Sequence, residues 1–243
     1  ALFDNTVAPT LIGCLWQRIN RFQGGVVNGE EVPGKWGTYF ATTKNTLLSA
    51  NEKNQIMLRT TATELMTDDT GRVVGVKAEQ YDGTPVEITA NAVILATGGY
   101  AANIDMVLET NDYWAEDDVT ASILTTNRSC ATGDGIVMGQ AVGAATTGMG
   151  FTQLMPIGWA NTGVLAGGNG EDVIFISPAG TENAGKRYVD ESAERDVLSQ
   201  GAYDFGGEHG LFIQLMNGGD NTSANDKPGQ EYFMTLAEAA EML

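Results

Sequence analysis

The sequence has 243 residues, 42% hydrophobic and 18% charged, enough apolar material for one large or two small globular domains and too much for a disordered chain. With 31 acidic against 13 basic residues the net charge is −18, a field that repels phosphate backbones and argues against nucleic acid as a partner. No apolar run approaches the ~20 residues of a membrane span, and Ala1–Leu11 lacks the basic end and apolar stretch of a signal peptide.

In chain order, Leu11, Ile12, Leu15, Trp16 and Ile19 recur at helical spacing, which predicts a helix within Ala1–Gln23. Gly24–Gly37 is Gly-rich, with a Pro33-Gly34 turn signal, and reads as a loop. From Gln55 the period changes to two. Gln55–Met66, Arg72–Tyr81 and Val86–Thr89 read as strands of an antiparallel meander, separated by Asp68-Asp69-Thr70-Gly71 and Asp82-Gly83 turns. Ala92–Thr97 follows as a continuous apolar run of the kind buried on both faces. Gly98-Gly99 breaks it, and helices are expected over Ala101–Glu109 and Gly133–Ala145.

Beyond Gly150 the composition loosens, and a domain boundary is placed there. Ile174–Ile176 and Arg187–Val189 read as paired strands, Glu191–Ser199 as a charged helix or turn, and Leu211–Met216 as a strand. Asn217–Gly229 is a polar loop and Thr235–Met242 a final helix. There is no internal repeat.

Few residues suit catalysis. His209 is the sole histidine and has no nucleophile motif beside it, so Ser-His-Asp and Cys-His catalysts are not expected. Cys14 and Cys130 stand in no metal or disulfide spacing, and no metal site is expected. Ala96-Thr97-Gly98-Gly99 ends an apolar strand on two glycines, which lets a backbone approach a ligand without a Cβ clash; a plain strand-to-helix turn uses the same residues. Thr132-Gly133-Asp134-Gly135 opens a helix, where amide N–H groups suit a phosphate or carbonyl and a carboxylate suits a hydroxyl. Asp134 as a simple helix cap is the alternative. The third glycine of a dinucleotide-binding G-x-G-x-x-G is replaced by Met138, so no phosphate loop of that type is present.

Taken in order, the meander, AVILATGGY (Ala92–Tyr100), ATGDGIVMGQAVGA (Ala131–Ala144), GMGFTQLMP (Gly148–Pro156) and GKRYVDESAERD (Gly185–Asp196) resemble the fumarate reductase/succinate dehydrogenase flavoproteins, a family that includes soluble fumarate reductases and 3-ketosteroid dehydrogenases. The resemblance covers Gln55–Ser199 and implies an α+β / α/β fold. Residues 1–150 would be part of an FAD-binding domain with its meander, and residues 151–243 part of an α+β cap (catalytic) domain. It implies FAD as cofactor, with Ala96, Thr97, Gly98 and Gly99 lining the flavin and Thr132, Gly133, Asp134 and Gly135 facing it. Gln153 and Met155 fall in the substrate segment. Arg195 takes the general-acid role, donating a proton to the alkene carbon opposite the hydride. A guanidinium is a poor acid at its ordinary pKa, so that role needs a proton relay and a dry site. An i,i+4 ion pair with Glu191 on a solvated helix is the competing reading of Arg195.

The chain departs from the family pattern in three ways. The segments that hold the FAD pyrophosphate and complete the flavin pocket are absent from it, so the chain is expected to be an internal section of a longer bacterial protein that binds FAD weakly or not at all by itself. Met155 stands where fumarate reductases place a histidine, and Thr162–Gly170 carries no counterpart of their Thr-Glu-x-x-Arg relay. The loop Ser177–Gly185 also looks longer than the family's. A less charged enoate or enone is therefore expected as substrate, with Met155 and Trp159 suiting an apolar part. A ketosteroid-dehydrogenase-like desaturase, with Tyr188 or Tyr203 as acid/base, and a non-catalytic acidic interaction module are the alternatives. No motif marks an electron-donor site, and relatives of this kind occupy bacterial periplasm or cytoplasm.

Overall fold

A computed structural model describes Phe3–Val7, Asn20–Phe22, Gly25–Val27, Glu30–Val32 and residues 36–165 and 173–216. The chain starts with β1 (Phe3–Val7), paired antiparallel to β2 (Asn20–Phe22), and continues into the hairpin β3 (Gly25–Val27) and β4 (Glu30–Val32). Both ends of the segment expected to be helical are thus extended, because each finds a strand partner; the apolar positions 11–19 lie outside the described residues. The expected loop over Gly24–Gly37 is corrected likewise. It contains β3 and β4 and the first residues of helix α1 (Trp36–Ala50). Asn54 Nδ2 donates to the Leu47 carbonyl at 2.7 Å, satisfying one of the acceptors that the end of α1 leaves open.

The meander forms as its period-two pattern predicts. β5 (Thr60–Thr67), β6 (Val73–Gln80) and β7 (Pro85–Thr89) pair in sequence order, antiparallel throughout. The β5–β6 turn is held by Asp68, whose Oδ1 accepts from Thr70 Oγ1 at 2.6 Å, Thr70 N at 2.9 Å and Arg72 N at 3.1 Å. These bonds, the one from the Thr70 hydroxyl first, hold the Asp68 carboxyl below its ordinary pKa. Gly71 supplies the left-handed residue at φ +83°. The register shifts between Ala62 and Glu64, and there Thr63 Oγ1 donates to the Lys77 carbonyl at 3.3 Å.

Ala92–Thr97 is not a strand. After a bend at Asn91 it has no regular secondary structure and pairs with no described strand, and Ile94 is 89% exposed. An apolar run becomes a strand only where a neighbour takes up its N–H and C=O groups.

Next come α2 (Ile104–Thr110), capped by Asn103 Oδ1 accepting from Met106 N at 3.1 Å, and α3 (Asp134–Ala141). α3 ends four residues earlier than the helix the sequence predicts. Gly143 turns left-handed at φ +89°, and Ala144 N donates back to the Gly139 carbonyl at 3.0 Å. β8 (Val173–Ile176) pairs with β9 (Ile213–Met216), while the expected partner Arg187–Val189 touches it through the single bridge Ile176–Arg187. Between them lie α4 (Arg195–Phe205) and a 3-10 turn at Glu208–Gly210. The expected polar loop Asn217–Gly229 and helix Thr235–Met242 lie outside the described residues.

Among the described residues, two hydrophobic clusters organise this half of the chain. Val107, Trp114 and Val119 form one, joined by Tyr100, Leu108, Ile123 and Leu154. Ile157, Val173, Phe175 and Leu198 form the other, joined by Met155, Tyr188 and Phe212 among others. No helix among the described residues is long and apolar enough to cross a membrane.

Gly75 gives this architecture a direct test. A Cβ there would overlap the Ile88 carbonyl across the β6–β7 ladder and lie 3.2 Å from the Thr89 Cα, both backbone atoms that cannot swing away. Gly75→Ala is expected to lower stability in denaturant titration by about 1–3 kcal/mol. An unchanged midpoint would contradict the described register.

Candidate active site

The first part of the site is a junction of glycines. Gly133 sits at φ +85° at the start of α3, and its N–H donates to the Gly99 carbonyl at 3.2 Å. A Cβ on Gly133 would come within 2.8 Å of Met106 Sδ and 2.9 Å of Tyr100 Cβ. Ala102 N bonds the Ala131 carbonyl at 2.9 Å and Asn103 Nδ2 bonds the Thr132 carbonyl at 3.2 Å. The two sequence motifs, Ala96–Gly99 and Thr132–Gly135, are therefore stitched together.

The packing explains the residue types. Gly135 and Gly139, one helical turn apart, turn the same face of α3 to the preceding segment. A Cβ on Gly135 would stand 3.0 Å from both Cβ and Cγ2 of Thr97, whereas one on Gly139 would lie 3.7 Å from Leu95 Cδ1 in ordinary contact. Gly98, at φ +80°, and Gly99 have nothing within 4 Å where a side chain would stand. Ala96, Thr97, Gly98, Gly99 and Asp134 are exposed, Thr132 is half-buried, and Gly133 and Gly135 are buried. Asp134 is not the helix cap. That place belongs to Gly133, and Asp134 Oδ1 accepts from Thr132 Oγ1 at 2.7 Å.

The second part centres on Arg195, the first residue of α4. Its Nη1 donates to Gln153 Oε1 at 2.7 Å, so two residues 42 positions apart and both singled out by sequence meet directly. The Glu191 carboxylate, in contrast, is taken by another arginine. Arg187 Nε donates to Glu191 Oε2 at 2.8 Å and Arg187 Nη2 to the same oxygen at 2.5 Å, while Phe175 N donates to Oε1 at 2.8 Å. Glu191 is only 3% exposed. The simple Glu191–Arg195 ion pair is therefore replaced by Glu191–Arg187.

Around Arg195 stand residues that the motifs did not single out. Tyr113 OH donates to Asp196 Oδ2 at 3.1 Å, and this bond, with the carboxylate's charge, raises the phenol pKa. Trp114 Nε1 donates to the Thr152 carbonyl at 2.7 Å, beside Gln153. No motif flanks Tyr113-Trp114, and Asp196 closes the Gly185–Asp196 motif without a role assigned by it. Met155 packs against the Phe175–Leu198 cluster, and Trp159 is half-buried, its ring N–H buried with no acceptor among the described residues.

Tyr188 stacks on Phe175 at a centroid distance of 6.3 Å; its buried hydroxyl has no partner among the described residues. Burial first, then the Glu191 charge, pushes its pKa up. Tyr203 is shifted the same way by burial and then Asp118. His209 is exposed, on the 3-10 turn at φ +57°. Among the described residues no group of three or more His, Cys, Asp or Glu is placed to hold a metal.

The sequence carrying these two parts matches a known family. The family model described as FAD binding domain matches residues 19–209, and the chain belongs to this family of FAD-binding flavoproteins. Among curated proteins it is 38% identical over 209 residues to NADH:acrylate oxidoreductase of Vibrio harveyi, an alignment covering 84% of this chain and 19% of that protein. It is 30% identical over 220 residues to urocanate reductase of Eggerthella lenta, covering 86% and 34%. Among solved structures, the open conformation of a flavocytochrome c3 fumarate reductase aligns with a TM-score of 0.53 at 22% identity, covering 76% of this chain and 30% of that one. The chain spans a fifth to a third of the length of the curated relatives named here. The resemblance to the fumarate reductase flavoproteins and the mixed α+β fold with its antiparallel meander both hold.

The contact between Gly135 and Thr97 reverses an ordinary expectation. Glycine to alanine inside a helix normally stabilises by ~1 kcal/mol. Gly139→Ala is expected to follow that rule, whereas Gly135→Ala is expected to destabilise by about 1–3 kcal/mol because Thr97 must move. Thermal unfolding of both variants checks this, and equal stabilisation of the two would contradict the described packing.

Proposed function

We propose that this chain supplies the flavin-facing edge and the proton donor of an FAD-dependent reductase acting on a carbon–carbon double bond conjugated to a carboxylate or carbonyl. The observation that carries the proposal is the Arg195–Gln153 hydrogen bond, which orients a guanidinium while the neighbouring carboxylate of Glu191 is occupied by Arg187. Residues up to about Gly150 belong to the FAD-binding part and those beyond it to the cap.

The residues present fit a flavin. Gly98 and Gly99 leave open space where Cβ atoms would stand, and the first turn of α3 lies against them. In this reading Ala96, Thr97, Gly98 and Gly99 line the isoalloxazine, and Thr132, Gly133, Asp134 and Gly135 face the cofactor from the helix end, whose N–H dipole favours electron-rich oxygen. FAD, when bound, supplies the hydride. Arg195 delivers the proton to the other alkene carbon and stabilises the charge that develops on the conjugated oxygen. Gln153, accepting from Nη1, fixes the guanidinium plane.

Substrate choice follows from Met155. A thioether packed against an apolar cluster cannot hold a second carboxylate, which favours a monocarboxylate over a dicarboxylate. Acrylate and urocanate, named in the two relatives, are both conjugated monocarboxylates. The desaturase reading is weakened by the raised pKa of Tyr188 and Tyr203 and by the burial of Tyr188 in the core. The interaction-module reading is weakened by the intact glycine junction.

The test uses the full-length flavoprotein under anaerobic conditions, with reduced viologen as electron donor and acrylate, urocanate and fumarate as acceptors. Acrylate or urocanate is expected to be reduced faster than fumarate, and Arg195→Ala to lose about 10²–10⁴-fold in turnover with flavin content unchanged. Preference for fumarate, or near-wild-type turnover by Arg195→Ala, would overturn the proposal.

A further inference from the structure

Arg195 stands at a helix end that its own cap does not secure. Glu194, the N-cap of α4, makes no side-chain capping bond, and a first turn without one is prone to fray. What holds it is a ring of three dipeptides. Trp114 Nε1 donates to the Thr152 carbonyl at 2.7 Å, Arg195 Nη1 to Gln153 Oε1 at 2.7 Å, and Tyr113 OH to Asp196 Oδ2 at 3.1 Å. Tyr113–Trp114, Thr152–Gln153 and Arg195–Asp196 are each adjacent in sequence, so the three bonds close one circuit through three peptide units. The circuit is anchored at one corner, where Trp114 is 6% exposed in the Val107–Val119 cluster. The Tyr113 ring meets the Trp114 ring edge-on at 5.0 Å and 78°.

From this ring we propose that Tyr113 and Asp196 are positioning residues for Arg195, a role that rests on the reading of Arg195 as proton donor. The Tyr113 hydroxyl fixes Asp196, and through the shared backbone the first turn of α4. The guanidinium then keeps one orientation toward Gln153. Neither Tyr113 nor Asp196 exchanges a proton with substrate. Their loss misplaces the donor without removing it, so the effect falls on the chemical step rather than on substrate binding.

The experiment measures acrylate reduction by the flavin-loaded full-length protein with reduced viologen as donor. Tyr113→Phe is expected to lower kcat about five- to ten-fold, the range a lost hydrogen bond spans, with KM for acrylate within about two-fold. Asp196→Ala should match it, and the double variant should be no slower than the slower single one, because both break the same bond. Asp196→Asn keeps an acceptor oxygen for Tyr113 and should restore kcat to near wild type, which a role resting on the carboxylate charge would not allow. An unchanged kcat in Tyr113→Phe, multiplicative losses in the double variant, or a rise in KM with kcat intact would overturn the positioning role while leaving the Arg195 reading in place. A wild-type protein that reduces none of acrylate, urocanate and fumarate would overturn both.

Discussion

Glu191 carries its carboxylate almost fully out of water, and the geometry around Arg195 follows from how that charge is satisfied. Taking a carboxylate into the interior costs several kcal/mol unless hydrogen bonds and a counter-charge replace its hydration. Three donors do so: the Phe175 amide and two nitrogens of the Arg187 guanidinium. The Phe175 bond ties the carboxylate to β8 at the centre of the cluster that also holds Leu198 of α4. The bidentate contact ties it to Arg187, which bridges Ile176 through its backbone. Strand, loop and helix entry are thereby locked together. With Glu191 engaged by Arg187, Arg195 four residues along turns to Gln153.

The segment Thr152–Met155 joins the two hydrophobic clusters, and it does so by simple alternation. Leu154 packs against the Trp114 cluster and Met155 against the Phe175 cluster, while the Thr152 carbonyl accepts from Trp114 and Gln153 receives Arg195. Thr152 and Leu154 thus face the Trp114 cluster while Gln153 and Met155 reach Arg195 and the Phe175 cluster, so this short stretch ties the guanidinium to both clusters. The glycine junction on the other side is built by exclusion: buried Gly133 and Gly135 leave no room for a side chain, whereas exposed Gly98 and Gly99 leave space unfilled.

Much of this was legible in the sequence wherever the information is local. The meander follows from period-two patterning and from Asp-Gly turns, and Asp68 holds its turn as such a residue should. Gln153 and Arg195 are each marked by their own motif, but nothing in the sequence pairs them; their hydrogen bond spans 42 positions. What the sequence withheld is long-range. The apolar run at Ala92–Thr97 has the composition of a buried strand, but a strand is defined by its neighbours. β8 pairs with a segment 37 residues further on rather than with the nearer Arg187–Val189. α1 leaves little trace in the sequence because Gly37 and its threonines are weak helix formers without a clean apolar face. Tyr113 and Trp114 sit in a turn with no periodicity at all, so only the folded chain reveals that they brace α4.

The arrangement stands or falls on which arginine Glu191 engages, and a pair of double-mutant cycles reads that directly. Unfolding free energies are measured for Glu191→Gln combined with Arg187→Ala, and for Glu191→Gln combined with Arg195→Ala. Strong coupling between Glu191 and Arg187, with coupling between Glu191 and Arg195 indistinguishable from zero, is the result the described geometry predicts. Coupling carried by Arg195 instead would return that residue to an ordinary helix ion pair and contradict its place beside Gln153.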